Sequence, residues 1–233
     1  MNILKTLAIA FTCAATLTAC DDDKKSGIPD ISGAFQTIVT YAGADESGSS
    51  FTVTEPGTTR LSTFTSTISL TAVSNGSVQP GQRVLIYYRN SSGKRYESGP
   101  IQFLGYSTVK GGKADAKPQA DISPLRIDPT EVDRIELSGT YLDVVLTAAG
   151  GDGSLFDVYF DEATVDQAQP RAYVVFRSSN TSSANHVFVG SFDISDVWSK
   201  STCESIVVYY GQGKDTSRKE VFPKPGVGVK PMD

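Results

Sequence analysis

Cysteine, histidine, tryptophan and methionine are all scarce in this 233-residue chain, and each shortage excludes something. The three cysteines are Cys13, Cys20 and Cys203. Cys13 lies in an apolar leader expected to be removed, and Cys20 is expected to be acylated. That leaves Cys203 alone, so the mature chain has no internal disulfide even in an exported setting. Stability must then come from buried apolar surface, and Cys203, just ahead of a strand-like run, reads as a small buried hydrophobe. One histidine, His186, with one unpaired cysteine cannot supply the usual zinc ligands. A catalytic triad needs that histidine beside an activated serine and a carboxylate, and no G-x-S-x-G elbow occurs. Oxygen-rich turns are present at Asp45-Glu46-Ser47-Gly48, at Asp161-Glu162 and at Gly150-Gly151-Asp152-Gly153-Ser154. The last begins like a calcium-binding G-G-x-G-x-D unit, but Leu155 stands where the aspartate is needed and the unit occurs once. Calcium needs six or more convergent oxygens, so all three read as turns. No catalytic residue, metal or cofactor is therefore assigned. Basic residues are outnumbered 21 to 26, without a basic stripe, which argues against nucleic acid as a partner. Helix signals are nearly lacking, with only Asp161 to Gln167 able to form a helical turn.

The leader is the most informative stretch present. Lys5 precedes the apolar segment running from Leu7 to Ala15, and small residues lead to Leu17-Thr18-Ala19-Cys20. The segment is shorter than the roughly 20 residues that cross a hydrocarbon core, and it has the flanks of a signal peptide. Leu17, Thr18, Ala19 and Cys20 resemble the bacterial lipobox, which implies a signal peptide over 1–19 and diacylglycerol on the Cys20 thiol. Several acyl chains, at about 0.8 kcal/mol per buried CH₂, hold a protein stably on a membrane. Residues 20–32, opening with Asp21-Asp22-Asp23-Lys24-Lys25, read as the lipidated cysteine and a polar tether. That acidic and lysine-containing run is similar to the export signal of surface lipoproteins in Bacteroidota. It gives the expectation of an outer-membrane protein facing the cell surface.

From residue 33 the texture is β. Short runs rich in β-branched and aromatic residues are separated by Pro56-Gly57, Asn75-Gly76, Pro80-Gly81 and Asn90-Ser91-Ser92-Gly93. Arg83-Val84-Leu85-Ile86-Tyr87-Tyr88 is the strongest strand of the first half. Five short strands within about 80 residues suggest a small, OB-like barrel over 33–109. Glycine, lysine and proline dominate 110–120, which places a linker over 110–130. Residues 131–233 read as an antiparallel β-sandwich: further strand-like runs follow, two of them flanking the glycine-rich turn at 150–153 as a hairpin. The expected class is all-β, a small barrel followed by a sandwich.

Several stretches resemble the NigD-like lipoproteins of Bacteroidota. They are the lipobox with its acidic run, Pro80-Gly81-Gln82-Arg83-Val84-Leu85-Ile86, Gly139-Thr140-Tyr141-Leu142-Asp143-Val144, Ala172-Tyr173-Val174-Val175-Phe176-Arg177 and Phe192-Asp193-Ile194-Ser195. The resemblance spans most of the mature chain and implies an N-terminal OB-like barrel with a C-terminal β-sandwich. The chain departs from it over Ser47–Ser74, which is rich in serine and threonine where the family's first domain is dense in acidic and aromatic residues. The resemblance carries no activity onto particular residues.

Tyrosines are the remaining candidates for a ligand surface. Tyr87, Tyr88, Tyr96 and Tyr106 fall in the barrel half, and Tyr209 and Tyr210 in the sandwich half. Neighbours on a strand point to opposite faces, so one of each pair is expected inside and the other outside, as a platform for a glycan or an envelope protein. The functional expectation is a non-enzymatic, surface-exposed binding or interaction lipoprotein. The alternatives are bacteriocin-related protection and a fimbrial-type assembly subunit.

Overall fold

Period-two burial builds the first sheet. It contains β1 (Phe35–Asp45), β2 (Gly48–Thr54), β3 (Leu61–Ser66), β4 (Arg83–Arg89), β5 (Gly99–Pro100) and β6 (Gln102–Thr108). In β2 the residues Ser49, Phe51 and Val53 are buried while Ser50, Thr52 and Thr54 are half-exposed, the alternation of a strand with one core face. This is a computed structural model, and it describes residues 31–125, 130–149, 155–177, 185–213 and 215–226. The leader, Leu17 to Lys25 with Cys20, the tether up to residue 30 and the turn at 150–154 lie outside the described residues.

The sheet runs β5-β3-β2-β1-β4-β6. Its two end strands are successive segments of the chain, joined through Ile101, whose amide donates to Thr65 O at 2.8 Å. β5 pairs in parallel with β3, and β6 antiparallel with β4. The sheet thus curls until its ends meet on one stretch, in the OB-like order expected, but the ladder breaks at Ile101 and the barrel is not fully closed. Its interior holds Val39, Tyr41, Phe51, Phe64, Ile86 and Tyr88. Phe51 stacks on Phe103 at 5.9 Å, and Tyr88 tilts against Phe64 at 5.0 Å. A short helix, α1 (Leu70–Val73), is capped by the Ser69 side chain and buries Leu70.

The second sheet contains β7 (Lys110–Lys113), β8 (Asp115–Lys117), β9 (Thr130–Ser138), β10 (Tyr141–Ala149), β11 (Leu155–Asp161), β12 (Arg171–Arg177), β13 (Asn185–Asp193), β14 (Ser205–Gly213) and β15 (Asp215–Pro223). It folds into two layers, β7-β13-β10-β9 and β8-β11-β12-β14-β15, which meet where Gln212 and Gly213 pair with β9. Between the layers lie Leu142, Val144 and Leu146 against Phe156, Val158 and Phe160. The all-β class holds, with mixed rather than wholly antiparallel sheets: β12 with β14, β8 with β11 and β7 with β13 are parallel. Two of these come from the stretch read as a linker. β7 lies along β13 and β8 along β11, Ala114 between them is buried, and Ile122 of α2 (Gln119–Ile122) is fully buried. Backbone donors and acceptors pair at a sheet edge whatever the side chains, so a lysine- and glycine-rich run reads as loop yet forms a blunted edge strand. Cys203 is buried, as expected of a small hydrophobe ahead of a strand, with burial pushing its thiol up.

Candidate functional site

The seam between barrel and sandwich begins with the apolar run Val84-Leu85-Ile86-Tyr87-Tyr88. All five residues are buried. Val84, Ile86 and Tyr88 face the barrel interior. Leu85 and Tyr87 face outward beside Ile38, where Val189 of β13 covers them together with Ile31, Leu104 and Val109. The outer β1–β4 face of the barrel therefore packs on the β10–β13 face of the sandwich. A strand buried on both sides is what an unbroken apolar run signifies.

Charges fasten this seam. Glu136 on β9 and Asp143 on β10 stand directly opposite each other, an arrangement that like charges destabilise. Each is taken by an arginine from the barrel. Arg83 Nη2 donates to both Asp143 oxygens, at 2.8 and 2.6 Å. Arg95 grips Glu136 with Nη1 and Nη2 at 2.8 and 3.1 Å. Ser191, the cross-strand neighbour of Asp143 on β13, donates to Asp143 Oδ1 at 2.5 Å and accepts from Arg83 Nε at 2.9 Å. The Tyr141 ring lies 4.6 Å from the Arg83 guanidinium, and Thr40 accepts from Nη1 at 3.3 Å. The Arg83 and Asp143 side chains are only 7% and 5% exposed, against 23% and 20% for Arg95 and Glu136. The first pair is thus buried and multiply hydrogen-bonded, and the second is partly exposed. Burial pushes the Asp143 carboxyl above its usual range, while Arg83 and the Ser191 hydroxyl pull it back.

Towards the β9–β10 turn the seam loses its ion pairs. Ser138 Oγ donates to Thr54 O at 2.8 Å. Gly139 then takes a positive φ of 65°, and a Cβ there would stand 3.0 Å from Thr54 Oγ1. Beyond this contact the two units part to leave a cleft of about 250 Å³. Its walls include Thr58 and Thr59 of the β2–β3 loop, Thr140 of the turn, Trp198 of α3 (Ser195–Trp198) and Lys224. Trp198 is the single tryptophan of the chain. The Lys224 ammonium donates to Lys200 O at 3.0 Å and lies 5.7 Å from the indole ring.

The tyrosine expectation needs correction. Tyr87 and Tyr88 do point to opposite faces, but both are buried: Tyr88 in the barrel core and Tyr87 beneath the sandwich. The Tyr88 hydroxyl donates to Arg95 O. Tyr96 is half-buried between Arg95 and Glu136, and burial pushes its hydroxyl well above the usual range, with Arg95 opposing. Tyr106 packs half-buried against the barrel core. The four make no common exposed platform. In the sandwich, Tyr209 stacks on Tyr173 at 5.0 Å, and Tyr210 packs against the core. His186 is the second residue of β13, opposite Ala148, and Asp161 caps a 3-10 turn by accepting from Ala163 N. Among the described residues no three histidine, cysteine or acidic side chains gather as metal ligands, and no helix is long and apolar enough to cross a membrane.

Sequence reasoning missed Arg83, Asp143, Arg95, Glu136 and Ser191. One signal was available: Asp143 sits inside the apolar run Leu142-Asp143-Val144-Val145, where a strand rarely takes aspartate. Two of the stretches that carry the family resemblance, Pro80 to Ile86 and Gly139 to Val144, meet in space through the Arg83–Asp143 pair.

No family model matches the chain, and no curated protein matches it in sequence. Its fold is similar to that of a protein of unknown function, DUF1344, from Bacteroides vulgatus, at 12% identity and a TM-score of 0.61, covering 85% of this chain and 96% of that one. A toxin-related protein from Parabacteroides distasonis aligns at 11% identity and a TM-score of 0.53, over 82% and 93% of the two chains. A NigD-like immunity protein from Bacteroides caccae aligns at 16% identity and a TM-score of 0.51, over 85% and 94%. The fold implied by the NigD-like resemblance is thus the fold of a NigD-like protein.

Proposed function

We propose that this chain is a non-enzymatic, lipid-anchored cell-envelope protein that holds its barrel and sandwich as one body and binds a partner at the seam. The observation that carries this reading is the division of the seam. The charged side chains of its body are consumed in fastening the two units, and the other end, which carries no ion pair between them, opens into a cleft walled by both. A site built across two units depends on their fixed placement, and such junctions are preferred places for ligand sites. A second reading, protection against a toxin, draws on the similarity to an immunity-like and a toxin-related protein. It differs in the partner and uses the same surface.

The anchor rests on Cys20 and the display on Asp21 to Lys25. Cys20→Ala is expected to release the protein from membranes, and continued stable membrane association contradicts the anchor. Alanines at 21–25 are expected to shield the protein from protease added to intact cells while leaving it membrane-bound. Equal digestion of both forms removes the export signal and leaves the anchor standing. Binding is tested by crosslinking on intact cells that carry the full chain or its Thr59→Phe variant, which fills the cleft mouth. A discrete partner joined to the wild type and reduced in the variant supports the reading. Equal recovery from both, or turnover of a substrate by the purified chain, contradicts it.

A further inference from the structure

The cleft at the seam has a chemistry of its own. The hydroxyls of Thr54, Thr59 and Thr140 have no hydrogen-bond partner among the described residues, whereas Thr58 spends its hydroxyl inside its own turn, on Glu55 O and Arg60 N. Trp198, 6% exposed, supplies an apolar wall. No carboxylate lines the cleft. The nearest acidic side chain along the loop, Glu55, faces Arg60 at 3.5 Å, and Arg60 also approaches Glu97 at 3.7 Å. Lys224 is the one charged group in the lining, and among the described residues no carboxylate pairs with it.

We infer that the cleft receives a single sugar residue carrying a carboxylate, such as a uronic acid unit of an envelope or capsular glycan. This rests on the reading of the chain as a binding module and names the ligand class for its seam site. Three unspent hydroxyls match a ligand rich in hydroxyls, since each can donate and accept. Pro225, half-buried in the lining, and the small exposed edge of Trp198 give the apolar face of a ring something to lie against. The Lys224 ammonium spends one donor on Lys200 O, is held by no carboxylate among the described residues, and has donors left to select an anion through a charge-assisted hydrogen bond. With no carboxylate in the lining, nothing repels that anion. The cleft falls below the roughly 300–1,000 Å³ of drug-sized sites, which suits one sugar unit.

Trp198, as the only indole, reports on its own site. Full chain in detergent is titrated with methyl glucuronide and with methyl glucoside while Trp198 emission is followed. A saturable change with the glucuronide, at least tenfold tighter than with the glucoside, is expected. Lys224→Gln is expected to erase that tenfold preference with an unchanged melting temperature, and Thr59→Phe to abolish the response to both sugars. Equal affinity for the two sugars overturns the inference. So does no saturable response, or acetyl-Gly-Gly carboxylate binding as tightly as the glucuronide. If a partner still crosslinks at the seam while no sugar binds, the ligand class is wrong and the binding reading stands. If neither occurs, both fall.

Discussion

The body and the tip of the β9–β10 hairpin face the same barrel and meet it in opposite ways. In the body, Glu136 and Asp143 would repel each other were Asp143 not neutralised by Arg83 of the barrel and Glu136 by Arg95 of the barrel, with Arg134 of its own strand at 3.5 Å. Two and three residues on from Glu136, at Ser138 and Gly139, one hydroxyl-to-carbonyl bond holds the contact and the cleft begins. The difference separates two tasks. The body fixes where the barrel sits, and the tip can stay open and uncharged because it is not needed for fastening. Truncating one partner of a buried pair leaves an uncompensated charge, whereas uncharged contacts at a turn end tolerate change. The two ends of one hairpin should therefore respond very differently to mutation.

The largest expected effect breaks the body. Arg83→Met leaves Asp143 buried and unpaired and is expected to cost about 3–5 kcal/mol in denaturant unfolding at neutral pH. Arg83→Met with Asp143→Leu is expected to recover most of that loss, because apolar replacement of both members of a buried pair is often neutral or better. In Arg83→Met alone, burial holds the Asp143 carboxyl above its usual range with no cation to oppose it. The folded state then binds the proton more tightly than the unfolded state. The variant's stability should fall as pH rises from about 4, and its deficit against wild type should shrink towards acid. Denaturant midpoints at pH 4 and 7 check the sign.

Smaller effects sharpen the comparison. Gly139→Ala puts an L-residue at a positive φ and a methyl against Thr54 Oγ1, for an expected loss of about 1–2 kcal/mol. Arg95→Met removes a partly wet pair and should cost about 1 kcal/mol, near the upper end for exposed pairs. Thr59→Phe, on an exposed loop, should leave stability within about 0.5 kcal/mol while blocking the cleft. If Arg95→Met proves as costly as Arg83→Met, burial is not what separates the two pairs.

Much of the fold was legible, because alternation and turn chemistry act locally. Asn75-Gly76 and Pro80-Gly81 mark turns whose residues Asn75, Gly76 and Gly81 all take positive φ. Asn90 closes its turn with its own side chain, donating to Lys94 O and accepting from Gly93 N. The seam was not legible, for two physical reasons. The run Val84 to Tyr88 announces burial on both faces without saying what lies on the outer one, so one of Tyr87 and Tyr88 read as exposed. The fastening residues are far apart in sequence, Arg83 from Asp143 by 60 positions and Arg95 from Glu136 by 41, and no local pattern joins them. The cleft was hidden likewise, since its threonines, Trp198 and Lys224 come from four separate segments.

A buried seam of this kind should make barrel and sandwich a single cooperative body. Native-state hydrogen exchange in low denaturant tests it most directly, because it gives the opening free energy of each strand separately. The most protected amides of β4 and β10 are expected to exchange through one common opening, with the same free energy and the same denaturant dependence. If β4 opens at a clearly lower free energy and with its own smaller denaturant slope while β10 stays closed, the barrel is an independent unit and the claim is wrong.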